Sequence, residues 1–272
     1  MINLLVAGNN FASKGLLVIA CSLLLKVKEE VTIYFMTMDL KNISPKYIPI
    51  NDNNFKVIER VLKMQNPTSS LKIVDCTNEY LKTMSNRRKK NSGYTPYALC
   101  RLFSDLKEDI PDKVLYLDTD IIIAKDISSF YHSDMSEYEI AGALDYYGRF
   151  WIKRDYINSG VLLMNMKKIR ETGFMEKCRE FCKTSFSILS DQDAINKLAK
   201  KKLIVSDIYN DQSRRPTEKT VIKHFSKQIN YLPVYTINIK PWDVEKVHKR
   251  YKIFRYDDIL NEYLKYEKQL II

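Results

Sequence analysis

The chain has 272 residues, 45% of them apolar and 28% charged, a globular composition that excludes a disordered or fibrous protein. Its formal net charge of +11 points to anionic partners: nucleotide phosphates, nucleic acid or an acidic membrane surface. The 7 glycines form neither G-x-G-x-x-G nor G-x-x-x-x-G-K-[ST], so the glycine-rich phosphate turns are absent and a metal ion is the obvious substitute.

An apolar strand over residues 2–7 ends in the turn-prone Gly8-Asn9-Asn10. A buried helix is expected over 14–27. Its apolar stretch, 16–25, falls short of the roughly 18–20 residues of a membrane span. A strand over 31–36 then completes a βαβ start, which predicts parallel pairing. A helix over 55–64 and a short strand over 71–74 follow, and the polar, cationic NRRKKNS at 86–92 reads as a loop. The five cysteines are odd in number and form no C-x-x-C. Cys178 and Cys182, four apart, read as core residues of a helix, and the chain as reduced and cytoplasmic. With no repeat or low-complexity linker, residues 1–242 read as one α/β body. A basic, aromatic helical extension covers 243–272.

Near Thr95 the signals sharpen. Thr95 suits an N-cap and Pro96 the first helical position. Ala98, Leu99, Leu102, Phe103 and Leu106 mark one apolar face with helical periodicity. Arg101 lies off that stripe, so by pattern alone it is a solvated helix arginine. Next comes KVLYLDTDIII, in which Asp118 and Asp120 interrupt an apolar run. In extended chain the two point the same way and Thr119 the opposite way. Two carboxylates about 5 Å apart repel by about 3 kcal/mol at an effective dielectric near 20. Partial desolvation among isoleucines adds to this. A bound cation removes both penalties and leaves positions open for phosphate oxygens.

Further along, Asn158 stands at the mouth of a strand over 161–164. Ser190-Asp191-Gln192-Asp193 opens a helix, with Ser190 placed to cap and the aspartates complementing the helix dipole. His224, one of three histidines, ends the apolar run Val221-Ile222-Lys223. Beside an Asp-x-Asp pair it becomes a third-ligand candidate, and nitrogen with two carboxylates suits Mn²⁺ better than Mg²⁺.

In this order, LLVAGNNF, YTPYALCRLFSDLKEDIPDKVLYLDTDIII, YINSGVLLMNMKKIR, SDQDAINKL, VIKHF and KPW resemble the retaining glycosyltransferases of family 8. That family includes glycogenin and the bacterial lipooligosaccharide galactosyltransferases. The resemblance implies a GT-A fold, Rossmann-like with a mixed, mainly parallel central sheet. It also implies a nucleotide-sugar donor, usually UDP-galactose or UDP-glucose, a glycan-type acceptor (sugar, lipid-linked or protein), and Mn²⁺ or another divalent cation. By resemblance Asp118, Asp120 and His224 are the metal ligands. Ala7, Asn9, Asn10, Arg101, Asp118, Thr119, Asn158 and Lys240 fall on the donor side, which replaces the solvated reading of Arg101. Asp145 faces the sugars, and Asp191 and Gln192 flank the reacting carbon. In a front-face displacement, the amide oxygen of Gln192 would steady oxocarbenium charge. Two departures stand out. The loop that usually carries aspartate reads Gly8-Asn9-Asn10, and fifteen residues separate His224 from Lys240, with Ser226-Lys227 where glycine is expected. Lys227 and Lys240 both come into question for the diphosphate, Lys240 having the Lys-Pro-Trp context.

A strand ending in Asp-x-Asp is also the mark of haloacid-dehalogenase-type phosphatases. There, however, the motif sits near the N-terminus and continues with threonine or glycine, not Ile121-Ile122. Net charge and 18 tyrosines raise nucleic-acid binding, but no binding motif appears and the charge is spread along the chain. The tail, with HKRYKIFRYDD, reads either as an amphipathic helix resting on anionic lipid at the inner membrane face or as a basic helix packed on the domain.

Overall fold

A computed structural model describes residues 1–85, 95–184, 190–231 and 234–272; the cationic segment 86–92 lies outside them. The strands in chain order are β1 (Ile2–Ala7), β2 (Val31–Thr37), β3 (Ser70–Asp75), β4 (Lys113–Leu117), β5 (Ile121–Ile123), β6 (Ile140–Ala143), β7 (Val161–Asn165), β8 (Lys202–Val205), β9 (Ile222–His224), β10 (Gln228–Tyr231) and β11 (Val234–Ile237). Seven of them form one sheet in the order β3-β2-β1-β4-β7-β6-β8. β1 pairs in parallel with β2 and β4, β2 with β3, and β6 with β8. β7 runs antiparallel to both β4 and β6, so the sheet is mixed and mainly parallel, as expected.

Side-chain alternation divides the core into two layers. Leu4, Val6, Leu115 and Leu117 face one layer, and Leu5, Tyr34, Met36, Val114 and Tyr116 the other. On the first face lies the helix Ser13–Lys26, buried from Ser13 through Leu23 with only Lys14 partly open. It is covered in turn by the C-terminal helix Asp257–Glu267, whose Ile259, Leu260 and Tyr263 are fully buried. Ion pairs Lys14–Glu267 and Lys26–Asp258 flank that contact. Of the two readings of the tail, packing on the domain is what its apolar face does. Among the described residues no helix is long and apolar enough to cross a membrane.

The second helix, Asp52–Gln65, is capped by Asn51, whose side chain accepts from the Asn54 N–H. Pro96–Leu106 forms with Pro96 at its start, but as a 3-10 helix, and Thr95 makes no side-chain cap. Tighter winding alters which residues share a face. Leu99, Leu102 and Phe103 are buried as expected, Leu106 is exposed, and Arg101 is drawn inward. All five cysteines are free and buried, Cys178 and Cys182 included.

At the domain edge, Glu29 accepts from His132 Nε2 at 3.0 Å. Hydrogen bonds from His132 and then Ser128 hold its carboxyl down at about 2, against 4.5 for the unfolded chain. The resulting stability is present above pH 4.5 and is lost as pH falls toward 2. The Tm advantage of wild type over Glu29→Gln is therefore expected to shrink steadily through that window, as differential scanning fluorimetry would show.

Candidate active site

Parallel β1 and β4 are neighbours, yet the chain leaves β1 for β2 on one side and reaches β4 on the other. A crevice opens at such a switch point beyond the strand ends. Register puts Val6 beside Leu117, so the Gly8-Asn9-Asn10 turn and the Asp118-Thr119-Asp120 segment leave the sheet side by side.

Asp118, Thr119 and Asp120 do not continue the strand; they make a turn between β4 and β5. The extended-chain reading is thus corrected, although the carboxylates still converge. The reason is pairing on both sides: Asp118 N–H donates to the Gly160 carbonyl at 2.8 Å, and Phe225 N–H donates to the Asp120 carbonyl at 2.9 Å. Thr119 presses on the helix Ser13–Lys26, where a β-carbon on Gly15 would lie 2.1 Å from the Thr119 carbonyl oxygen. Only glycine permits that approach.

β5 pairs antiparallel with β9, setting Ile121 opposite His224. This long-range register carries the imidazole to the aspartates. His224 Nε2 lies 3.2 Å from Asp120 Oδ1 and 3.9 Å from Asp118 Oδ2. One ligand atom from each of the three residues falls within 4.8 Å of the others. The far oxygens are held by cations: Asp118 Oδ1 by Arg101 Nη2 at 3.1 Å, Asp120 Oδ2 by Lys240 Nζ at 2.5 Å. Burial raises the Asp120 carboxyl, but His224 and Lys240 outweigh it and keep it below the usual carboxylate range.

These donors fit a divalent cation on three counts. Two carboxylate oxygens and one imidazole nitrogen suit Mn²⁺. The Nδ1 of His224, 3% exposed, lies 3.0 Å from the Asn210 side-chain oxygen. A proton on Nδ1 would serve that bond and leave the Nε2 lone pair for a bound cation. Finally, a β-carbon on Gly160 would meet His224 Cε1 at 2.3 Å and Asp118 Oδ2 at 2.8 Å, so glycine keeps the space beside the donors open.

Asn210 was not apparent from sequence. It is 1% exposed and joins the donors to a second group. Its amide nitrogen donates to Asn158 Oδ1 at 3.0 Å, and Asn158 Nδ2 donates to Asp145 Oδ2 at 2.8 Å. Gln192 Nε2 reaches the same Asp145 oxygen at 3.3 Å. The Gln192 amide oxygen accepts from Ser159 N–H at 2.9 Å and Oγ–H at 3.2 Å, which fixes its direction while drawing on its lone pairs. Asn210→Ala is expected to lower Mn²⁺ affinity about 10- to 100-fold, the usual cost of losing a ligand's orienting partner. Isothermal titration of the full chain with Mn²⁺ checks this.

Arg101 is 3% exposed, against the pattern reading. Its guanidinium sits 4.0 Å over the Tyr116 ring, touches Asp118, and approaches Asp191 at 3.3 Å. It also donates to the Ser159 carbonyl. Burial works against its charge, but Tyr116, Asp118 and Asp191 outweigh burial and raise its pKa. The Asp191 carboxyl shifts upward through burial, which Arg101 opposes.

At the crevice mouth, Ala7 ends β1 and Asn9 donates to the Lys46 carbonyl at 3.0 Å. Asn10 is held inward. Its oxygen accepts from Asn51 N–H at 3.1 Å and Asn54 Nδ2 at 3.0 Å, and its nitrogen donates to the Ile271 carbonyl at 2.9 Å. Of the two lysines, Lys240 reaches Asp120, whereas Lys227 is exposed.

A mixed sheet with an Asp-Asp-His group beyond β4 has the architecture of the GT-A glycosyltransferases. A crystal structure of the galactosyltransferase LgtC, with donor and acceptor sugar analogues, superposes at a TM-score of 0.69 with 16% identity over 97% of this chain and 96% of that one. The crystal structure of the glycosyltransferase GlyE of Streptococcus pneumoniae gives 0.63 with 21% identity, covering 100% of this chain and 66% of the other. Both likenesses are of fold. In sequence, General stress protein A of Bacillus subtilis is 25% identical over 156 residues, 53% of this chain and 53% of that protein. GlyE is 29% identical over 167 residues, 56% of this chain and 40% of its own length. The chain thus spans about half or less of the curated relatives it matches. The family model described as Glycosyl transferase family 8 matches residues 4–246. The chain belongs to that family of enzymes.

Proposed function

We propose that this chain transfers a hexose, galactose or glucose, from a UDP-linked donor to a glycan, lipid-linked or protein acceptor with retention of configuration. The convergence of Asp118 Oδ2, Asp120 Oδ1 and His224 Nε2 carries the proposal. These three residues would hold the divalent cation, Mn²⁺, whose charge would offset that growing on the leaving diphosphate. Lys240 and Arg101 supply further positive charge on either side of the aspartates. Asp145, Asn158 and Gln192 line the sugar side as one hydrogen-bonded set, with the Gln192 oxygen aimed by Ser159. Asp191 stands beside Arg101 at the start of the helix Ser190–Leu198. Asn9 would meet the uracil base, since an amide can both donate and accept, and Ala7 and Thr119 would complete the donor wall. Residues 243–272 act in this reading as an extension braced on the catalytic domain, and free thiols agree with a reducing cytoplasm.

The test is a thermal-shift panel of UDP-, GDP- and dTDP-sugars with and without Mn²⁺, followed by donor hydrolysis. A UDP-sugar at about 100 times its Kd with Mn²⁺ adds about 2.7 kcal/mol, a rise of roughly 5–10 °C. A shift with GDP- or dTDP-sugars alone would overturn the uracil assignment. No shift with any donor, together with hydrolysis of p-nitrophenyl phosphate, would overturn sugar transfer itself.

A further inference from the structure

Between β6 and β7 the chain makes a short helix, Gly148–Trp151, whose tip is unusually apolar for a surface. Phe150 is 74% exposed, Trp151 77% and Ile152 56%, three large apolar side chains in a row. Beside them stand Lys153 and Arg154, both exposed, and Arg149, half-buried with its guanidinium over the Phe150 and Tyr146 rings; Arg215 is exposed on the loop whose Gln212 hydrogen-bonds to Leu144 and Tyr146. Of the neighbouring acids, Asp155 is paired with Lys153 and Lys202, and Asp145 is turned inward onto Tyr147 and Gly148. We propose that this tip docks the protein on an anionic bilayer surface, Phe150, Trp151 and Ile152 entering the headgroup boundary while the cations meet acidic lipid.

Three features favour lipid over other occupants. A sugar stacks on one aromatic face and needs amides or carboxylates for its hydroxyls, whereas this tip offers an aliphatic side chain and cations. A second copy would bring one cationic rim against another in a two-fold contact, on a chain of net charge +11. Apolar residues ringed by arginine and lysine match the chemistry of an acidic bilayer interface. The tip is also anchored to the candidate site. Asp145 Oδ1 accepts from Tyr147 N–H at 3.0 Å and Gly148 N–H at 2.6 Å, while its other oxygen holds Asn158. Docking would therefore bring the sugar side of the cleft close to the bilayer. This consequence, a membrane-anchored acceptor, rests on the transfer reading; the docking itself does not.

The experiment is flotation of the full chain with phosphatidylcholine vesicles, with and without phosphatidylglycerol, for wild type and the Phe150→Ser/Trp151→Ser variant. Flotation is expected only with phosphatidylglycerol and about tenfold weaker or less in the variant. Brominated lipid should quench tryptophan emission in wild type, and Trp151→Phe should float yet lose the quenching, since Trp242 would remain unquenched. No flotation, equal flotation of wild type and double variant, or quenching that survives Trp151→Phe overturns the proposal. So does a Trp151 emission change saturated by a soluble oligosaccharide, or self-association lost in the double variant. The double variant should keep the donor-plus-Mn²⁺ thermal shift. Absence of that shift in wild type would bear on the transfer reading alone.

Discussion

Replacing Asp120 by alanine is expected to lower sugar transfer by about a thousandfold or more, a loss of about 4 kcal/mol of transition-state stabilisation. Asp120 faces both His224 and Lys240, one oxygen to each. Its loss removes one of the converging donors and also releases the lysine that would meet the diphosphate. The Asp120 backbone carbonyl, which anchors Phe225, is untouched, so the turn should persist. Because one carboxylate organises both neighbours, adding Lys240→Ala to Asp120→Ala should cost far less than it does in wild type. Steady-state kinetics of the four proteins, with Mn²⁺ titrated, checks this. Turnover of Asp120→Ala within tenfold of wild type, with the Mn²⁺ requirement intact, would remove Asp120 from the site.

Arg101→Lys should fail in a different way, through the fold as well as the reaction. The guanidinium spreads its N–H groups over Asp118, Asp191 and the Ser159 carbonyl while stacking on Tyr116. An ammonium is a point charge and cannot serve all four. Breaking a buried ion pair typically costs about 3–5 kcal/mol, because the remaining charge stays unpaired. Lysine retains part of this, and Arg101→Met should lose it fully. The expected fall in Tm is about 10 °C for methionine and roughly half that for lysine. Both should lose donor binding. An unchanged Tm with lost donor binding would show that Arg101 serves the ligand rather than the scaffold.

The start of the sheet was legible because its information is local. Short apolar runs marked β1 and β2, the turn followed β1, and a longer apolar stretch marked the helix between them, each within two residues of the observed bounds. Residue types marked the Asp118–Asp120–His224 group, and the order of motifs marked Arg101. The geometry that unites them was not legible. Nothing in the spacing of VIKHF says that β9 pairs with β5, yet that register delivers His224 to Asp120. Arg101 looked solvated because helical periodicity was assumed where a 3-10 winding and two acids draw it inward. Asn210 carried no signal, since its importance lies in contacts with residues 14 and 52 positions away. Asn10, placed on the donor side by resemblance, has its amide bound to Asn51, Asn54 and the Ile271 carbonyl, contacts that the sequence does not show.

The cover that Asp257–Glu267 places over Ser13–Lys26 has a consequence for biosynthesis. The helix Ser13–Lys26, apolar nearly all round, is made more than two hundred residues before its covering partner. Until then Leu16 to Leu23 can be only partly sheltered by β1, β2 and the helix Asp52–Gln65. Contacts so distant in sequence are slow to form, and the waiting intermediate presents a greasy face to other chains. Ribosome-bound chains halted before residue 257 should accordingly be held by chaperones, which should release them once Asp257–Glu267 closes over Ser13–Lys26.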